Sequence, residues 1–235
     1  MDFSSPVNKS GSLAKVNPFI ISVYNWMAIG LALTAFTAFY VAHSDTLLQM
    51  IFGNRLVFYG MIIGELGLVF YLSARVQKIQ ASTATALFVL YSILNGVTLS
   101  CIFIIYTSSS IVSTFFTCAL TFGACSVYGM VTKRDLTSMG GFMIMGLFGI
   151  IIASVVNMFL RSPGMNMIIS YIGVIVFVGL TAYDTQKLKN MAMTQPDNAS
   201  GAMIRKAAIM GALALYLDFI NLFIMLLQIF GVSRD

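Results

Sequence analysis

The chain reads as an all-α membrane protein built from seven transmembrane helices, and three observations carry that reading. Its residues are 59% hydrophobic and only 9% charged, where a soluble domain carries about 25% charged residues. Its mean hydropathy is +0.92. Its apolar residues fall in seven runs, at about 19–42, 56–74, 84–106, 111–131, 139–160, 167–186 and 207–230. Each is near or above the roughly 20 residues a helix needs to cross the hydrocarbon layer. Lipid offers the backbone no hydrogen-bond partners, so only helices or closed barrels span it. The runs are continuous and lack the alternation of barrel strands, which selects helices.

Taken in order, the first 18 residues are polar, contain Pro6 and Pro18, and lack the basic region, apolar stretch and cleavage site of a signal peptide. They are expected to form a cytoplasmic tail, with the first run as its own insertion signal. In the second run, Gly60-x-x-x-Gly64 predicts a close helix contact. Thr107-Ser108-Ser109-Ser110 joins the third and fourth spans, and Arg161-Ser162-Pro163-Gly164 joins the fifth and sixth. All four prolines lie outside the apolar runs, as helical spans prefer. No linker marks a second domain and no repeat is evident. Residues 19–231 are therefore expected to be one transmembrane domain, followed by a short tail at 232–235. Cys101, Cys118 and Cys125 lie in apolar runs without a C-x-x-C pair. They read as packing residues, with no disulfide framework or metal implied. The lone histidine, His43, falls at a helix end, where it carries no ligand signal.

Charge sets the expected orientation. Lys9, Lys15, Arg75, Lys78, Lys133, Arg134, Lys187, Lys189, Arg205 and Lys206 fall on one side, and Arg55, Arg161 and Arg234 on the other. Ten against three puts the N-terminus in the cytoplasm and the C-terminus outside. The sequon Asn198-Ala199-Ser200 then falls on the cytoplasmic side and is discounted. So few basic residues, in short loops, are topology signals rather than a nucleic-acid surface.

Of the eight acids, Asp2, Asp45, Asp135, Asp197 and Asp235 lie in loops or at the ends. Three lie within apolar runs: Glu65, Asp184 and Asp218. A carboxylate in hydrocarbon costs roughly 2.5 kcal/mol or more near the centre, so such residues face the bundle interior, find a partner, and often mark an ion or proton path. Asp184, near the end of the sixth run, has the wrong sign for a helix C-terminus. It is either a surface aspartate paired with Lys187 on the same face, or half of an internal site. Counting from Ala207 puts Asp218 about 17 Å deep, and leaves it roughly 13 Å from Asp184 in depth. For Glu65 and Asp218 the plain alternative is a structural interhelical hydrogen bond of about 1 kcal/mol, and Asn157 and Asn221 are expected to make such bonds. Three acids in so small a bundle favour a functional cluster.

Val23-Tyr24-x-x-Met27 with Gly30-Leu31, then IGVIVFVGLTAYDTQKLKN at 172–190 and GALALYLDFINLFIMLLQIFG at 211–231, resemble the transmembrane Bax inhibitor motif family across all seven spans. The likeness is closest to its bacterial inner-membrane branch. The resemblance implies a central seventh helix wrapped by two three-helix layers, and a calcium leak that depends on pH. It implies that Asp184 and Asp218 form a paired sensor, that Arg75 in Ser73-Ala74-Arg75 latches it, and that Glu65 contributes to the ion pathway. A bacterial member of the family modulates a membrane-bound protease by contact, which supplies a rival reading.

Two carboxylates in contact cannot both carry charge cheaply, so such a pair shares a proton. Loss of that proton leaves two negative charges, which repel each other or receive a cation. Carboxylate oxygens suit a hard ion such as Ca²⁺, so Asp184 and Asp218 are also the candidate metal ligands, with calcium as transported ion rather than cofactor. The expected function is a pH-gated cation leak, and the protein is not expected to be an enzyme. The alternative is a non-catalytic regulator of a membrane-bound protease, acting through the tail at 1–18. A third reading, an intramembrane aspartyl protease, is disfavoured. Its second aspartate usually follows a glycine-rich G-x-G, where this chain has Leu215-Tyr216-Leu217.

Overall fold

The computed structural model describes residues 9–196 and 198–234. Its helices are α1 (Lys9–Ala42), α2 (Asp45–Phe52), α3 (Arg55–Arg75), α4 (Ala81–Leu99), α5 (Ile102–Ile105), α6 (Ser108–Val131), α7 (Thr137–Leu160), α8 (Pro163–Thr194) and α9 (Gly201–Phe230). Seven membrane-length spans are present, with α4 and α5 together forming the third. The short α2 was not foreseen.

Local chemistry sets the helix starts. Asn54 caps α3 by accepting from Leu56 N at 3.0 Å. Ser162 caps α8 at Met165 N, with Pro163 in the first turn. Ser200 caps α9 at Met203 N. Each such cap contributes about 1 kcal/mol. Pro18 lies inside α1 rather than before it. Two helices depart from the expected limits where it matters. Helix α8 continues eight residues past 186 and α9 begins six residues before 207. In the added turns of α8 the buried residues Leu188 and Ala192 continue the stripe of Thr181 and Thr185. That is helical periodicity inside a stretch whose average polarity hides it.

Helix α9 is the most buried span. Its Leu215, Tyr216, Leu222 and Leu227 are almost wholly enclosed. It packs against α1, α4, α6 and α8. Helices α1, α3 and α4 form one layer around it and α6, α7 and α8 the other, which is the expected architecture. The outer faces of α3 and α7 expose Leu56, Phe70, Phe142 and Phe159, as lipid-facing surfaces do.

Glycines mark where helices touch. A Cβ on Gly96 would lie 2.6 Å from Thr34 O, and one on Gly129 would lie 2.3 Å from Ala182 O. These positions let α4 meet α1, and α6 meet α8, at backbone distance. Gly60 and Gly64 face open space, so the expected contact of that G-x-x-x-G pair does not form. The asparagines also differ from expectation. Asn157 Oδ1 accepts from Ser162 N, and Asn221 Nδ2 donates to Leu217 O of its own helix. Both bonds are local rather than interhelical. The C-terminal segment is pinned: Thr107 N donates to Val232 O at 3.0 Å and Arg234 N to Ile105 O at 2.8 Å.

Candidate functional site

The glycine contacts set the register of α8 against α9. Gly211 meets Leu188, and Gly173 meets Met225. In that register Asp184 is level with residues 214–215, so Asp218 is about one turn deeper, ~5 Å along the axis. Helical side chains lean toward their own N-terminus. The two helices are antiparallel, so Asp184 leans deeper while Asp218 leans back toward it. That opposed lean turns the two carboxyls toward one another across the α8–α9 contact.

The large nominal gap in depth came from two helix limits set too short. Asp184 stands ten residues before the last residue of α8, about 15 Å from its end. The helix-dipole argument therefore does not apply to it, because that field fades within the last turn.

Asp218 is 5% exposed. Its Oδ2 is buried and receives no hydrogen bond from a neighbouring N–H or O–H. A buried carboxyl with an unsatisfied oxygen, one turn from a second carboxyl on the neighbouring helix, is costly to ionise.

Both carboxyls open onto a cavity of about 630 Å³ between α3, α4, α7, α8 and α9. Glu65 of α3 lines the same cavity. It is buried, and Thr98 Oγ1 donates to its Oε1. The three intramembrane acids thus converge on one space. Arg75 does not join them. It is exposed at the end of α3 and lies outside the cavity lining. The cation at the cavity is Lys187, whose ammonium stands 5.8 Å from the centre of the Tyr183 ring. Asp184, Lys187 and Asp218 thus line one cavity.

A buried polar network missed by sequence reasoning lies behind Glu65. The Tyr216 hydroxyl is 2.6 Å from Thr34 Oγ1 and donates to Asn95 Oδ1 at 3.2 Å. Asn95 Nδ2 in turn donates to Tyr91 Oη at 3.4 Å. Helices α1, α4 and α9 are tied in this way, with α3 attached through Thr98 and Glu65. One signal was available: Tyr91, Asn95 and Thr98 recur at helical spacing within an apolar run, which places them on one face. Among the described residues no group of three or more His, Cys, Asp or Glu side chains is close enough to hold a metal ion.

A central helix inside two layers of spans, with three acids lining one cavity between the helices, defines a multi-pass membrane protein. The chain belongs to the Bax inhibitor motif family. The family described as inhibitor of apoptosis-promoting Bax1 matches residues 16–235. The inner membrane protein YbhL of Escherichia coli K12 is 54% identical over 221 residues, covering 94% of each chain. A protein of Borreliella burgdorferi is 49% identical over 219 residues, covering 93% of this chain and 94% of its own. A membrane protein of Streptococcus pyogenes serotype M1 is 36% identical over 218 residues, covering 92% and 93%. The motif residues have structural work beside the acids: Val23 and Met27 are buried in the core, and Gly30 meets the Phe88 ring.

Proposed function

We propose that the protein is a pH-responsive cation leak pathway of the bacterial inner membrane, with Asp184 and Asp218 as its gate and calcium as the transported ion. The observation that supports this most is the convergence of Asp184, Asp218 and Glu65 on one cavity within the membrane-spanning region. The inner-membrane location follows the name of the Escherichia coli relative.

With a shared proton the two carboxyls attract, and α8 and α9 stay joined. Without it, two adjacent charges repel or take up a cation, and the energy of either response depends on the proton activity on the side from which the pair is reached. The oxygen-only donors of the three acids suit a hard ion in transit, and a transported ion needs no closed coordination shell. Helix α3 rests mainly on α2 and α4, so it is the wall freest to move. An Arg75 latch requires such a movement to bring the guanidinium to the pair. The reading assigns no enzymatic step to the acids. The protease-regulator alternative depends on residues 1–18, of which 1–8 lie outside the described residues.

Purified protein in liposomes, with calcium flux followed over a pH series, tests the proposal. The wild type is expected to pass calcium at a rate that changes with pH. Asp184→Asn and Asp218→Asn are each expected to flatten that dependence. The same flux and the same pH response in all three proteins would sink the proposal.

A further inference from the structure

A second pocket lies at the other end of the α8 chemistry, and the cation-leak reading does not involve it. It has a volume of about 420 Å³, between the α6–α7 connection and the last turns of α8. Lys133, Arg134 and Lys189 bring positive charge to its wall, with Thr132 and Asn190 as neutral polar groups. Asp135 also lines it. That carboxylate is already engaged, because its Oδ1 accepts from Thr137 N at 2.9 Å and from Thr137 Oγ1 at 2.6 Å.

Cationic loops at the cytoplasmic ends of spans need no pocket to act as topology signals; charge alone suffices. Here the loop is held in a fixed shape. Gln186 of α8, itself buried, donates from Nε2 to Arg134 O at 2.8 Å and accepts at Oε1 from Leu136 N at 2.9 Å. Lys189 Nζ donates to Met130 O at 2.7 Å. On either side of the loop a glycine presses its helix against α8: Gly129 on Ala182, and Gly140 on the Tyr183 ring. Both ends of the connection and its middle are thus fastened to one helix, so Lys133 and Arg134 are presented at a set separation beside Lys189. Their ammonium and guanidinium groups offer the donor set that phosphate oxygens take.

We propose that this pocket is a binding site for the phosphate headgroup of an anionic phospholipid from the cytoplasmic leaflet. The choice of a lipid over a free phosphate rests on the rim. Val131 and Met193 are exposed there at 68% and 43%, and Val131 continues into the apolar surface of α6 on which an acyl chain can lie. A basic pocket between spans on this side of a membrane is suited to such headgroups.

Native mass spectrometry of the detergent-purified full chain, titrated with phosphatidylglycerol or with phosphatidylcholine, tests this. One phosphatidylglycerol is expected to be retained preferentially, and Lys133→Ala/Arg134→Ala is expected to reduce that retained fraction at least fivefold. Lys78→Ala, a cytoplasmic-side cation outside the pocket, is expected to keep it. Gln186→Leu leaves every cation in place but frees the loop, and is expected to weaken retention as well. If that variant fails to fold, Gln186→Asn, which shortens the side chain out of reach of the loop without adding charge, is used instead. Equal retention by wild type and the double variant overturns the proposal, as does equal loss in Lys78→Ala. Displacement of the bound lipid by equimolar glycerol phosphate overturns the lipid assignment in favour of a soluble phosphate.

Discussion

Tyr216 stands two residues before Asp218 and is completely buried. Its hydroxyl joins Thr34 of α1 to Asn95 of α4. Replacing it with phenylalanine keeps the ring and its edge-to-face packing on Phe88 and Tyr91. What goes is the donor to Asn95 Oδ1, while Thr34 Oγ1 keeps the carbonyls of Gly30 and Ser92. A stranded buried polar group costs about 1–3 kcal/mol, so Tyr216→Phe is expected to destabilise the protein by that amount, measured by denaturant unfolding in detergent. A change near zero would show that the hydroxyl is satisfied by chance rather than by design. Asp135 gives a contrasting, solvent-side case. The two hydrogen bonds from Thr137 hold its carboxyl below the ordinary carboxylate range. A group with a depressed folded value stabilises above its unfolded value, and that contribution is lost as pH falls through the folded value. Because the group is fully exposed the effect is small. Asp135→Ala is expected to lower the thermal midpoint at neutral pH, by a margin that shrinks once the pH drops below about 4. A margin independent of pH would show that the charge of Asp135 plays no part in holding the start of α7.

At the scale of the helix, glycine contacts rather than glycine motifs decide which elements touch. The pair Gly60 and Gly64 has the spacing of a contact motif, yet a Cβ at either position meets nothing within 4 Å. Gly129 belongs to no such pair but faces the Ala182 carbonyl at a distance no Cβ tolerates. The obstacle there is backbone, which cannot rotate away as a side-chain tip can. Gly129→Ala is therefore expected to cost about 1–3 kcal/mol by overpacking, while Gly64→Ala is neutral or slightly stabilising, since alanine is the better helix former. Denaturant titration of the two variants beside wild type compares them directly, and equal effects would contradict the packing described. The same distinction marks what the sequence made legible. Seven spans followed from run length, because lipid demands it. The ends of α8 and α9 did not follow, because α8 leaves the apolar run with its buried face intact and Ser200 starts α9 in a polar stretch. Pro196 and the Ser200 cap were the readable signals for those ends. The three acids were legible from the cost of burying charge. Their meeting was not, because it depends on one turn of register and on the opposed lean of two side chains, neither of which is a property of either helix alone.

For the molecule as a whole, charge and the up-down path of the spans are the grounds on which we propose a direction of insertion. Arg75 and Lys78 after α3, Lys133 and Arg134 after α6, and Lys187, Lys189, Arg205 and Lys206 around the α8–α9 connection belong to one end of the bundle. Arg55, Arg161 and Arg234 belong to the other. Each cation near an anionic leaflet gains about 1 kcal/mol, so the excess on one end outweighs any single residue, and we propose that this end stays in the cytoplasm. This bears on both sites. In that proposed orientation the pocket of Lys133 and Arg134 faces the cytoplasmic leaflet, and the lysine-bearing turns of α8 lead to Asp184 from the cytoplasm, so the proposed gate would respond to cytoplasmic pH. Two exposed positions at opposite ends test the orientation. In a background where Cys101, Cys118 and Cys125 are alanine, Ser109→Cys at the start of α6 and Lys78→Cys after α3 are each treated with a membrane-impermeant maleimide in spheroplasts. Ser109→Cys is expected to label in intact spheroplasts, and Lys78→Cys only after permeabilisation. The opposite pattern would reverse the bundle and give the pair the proton activity of the other side, and with it the opposite physiological stimulus.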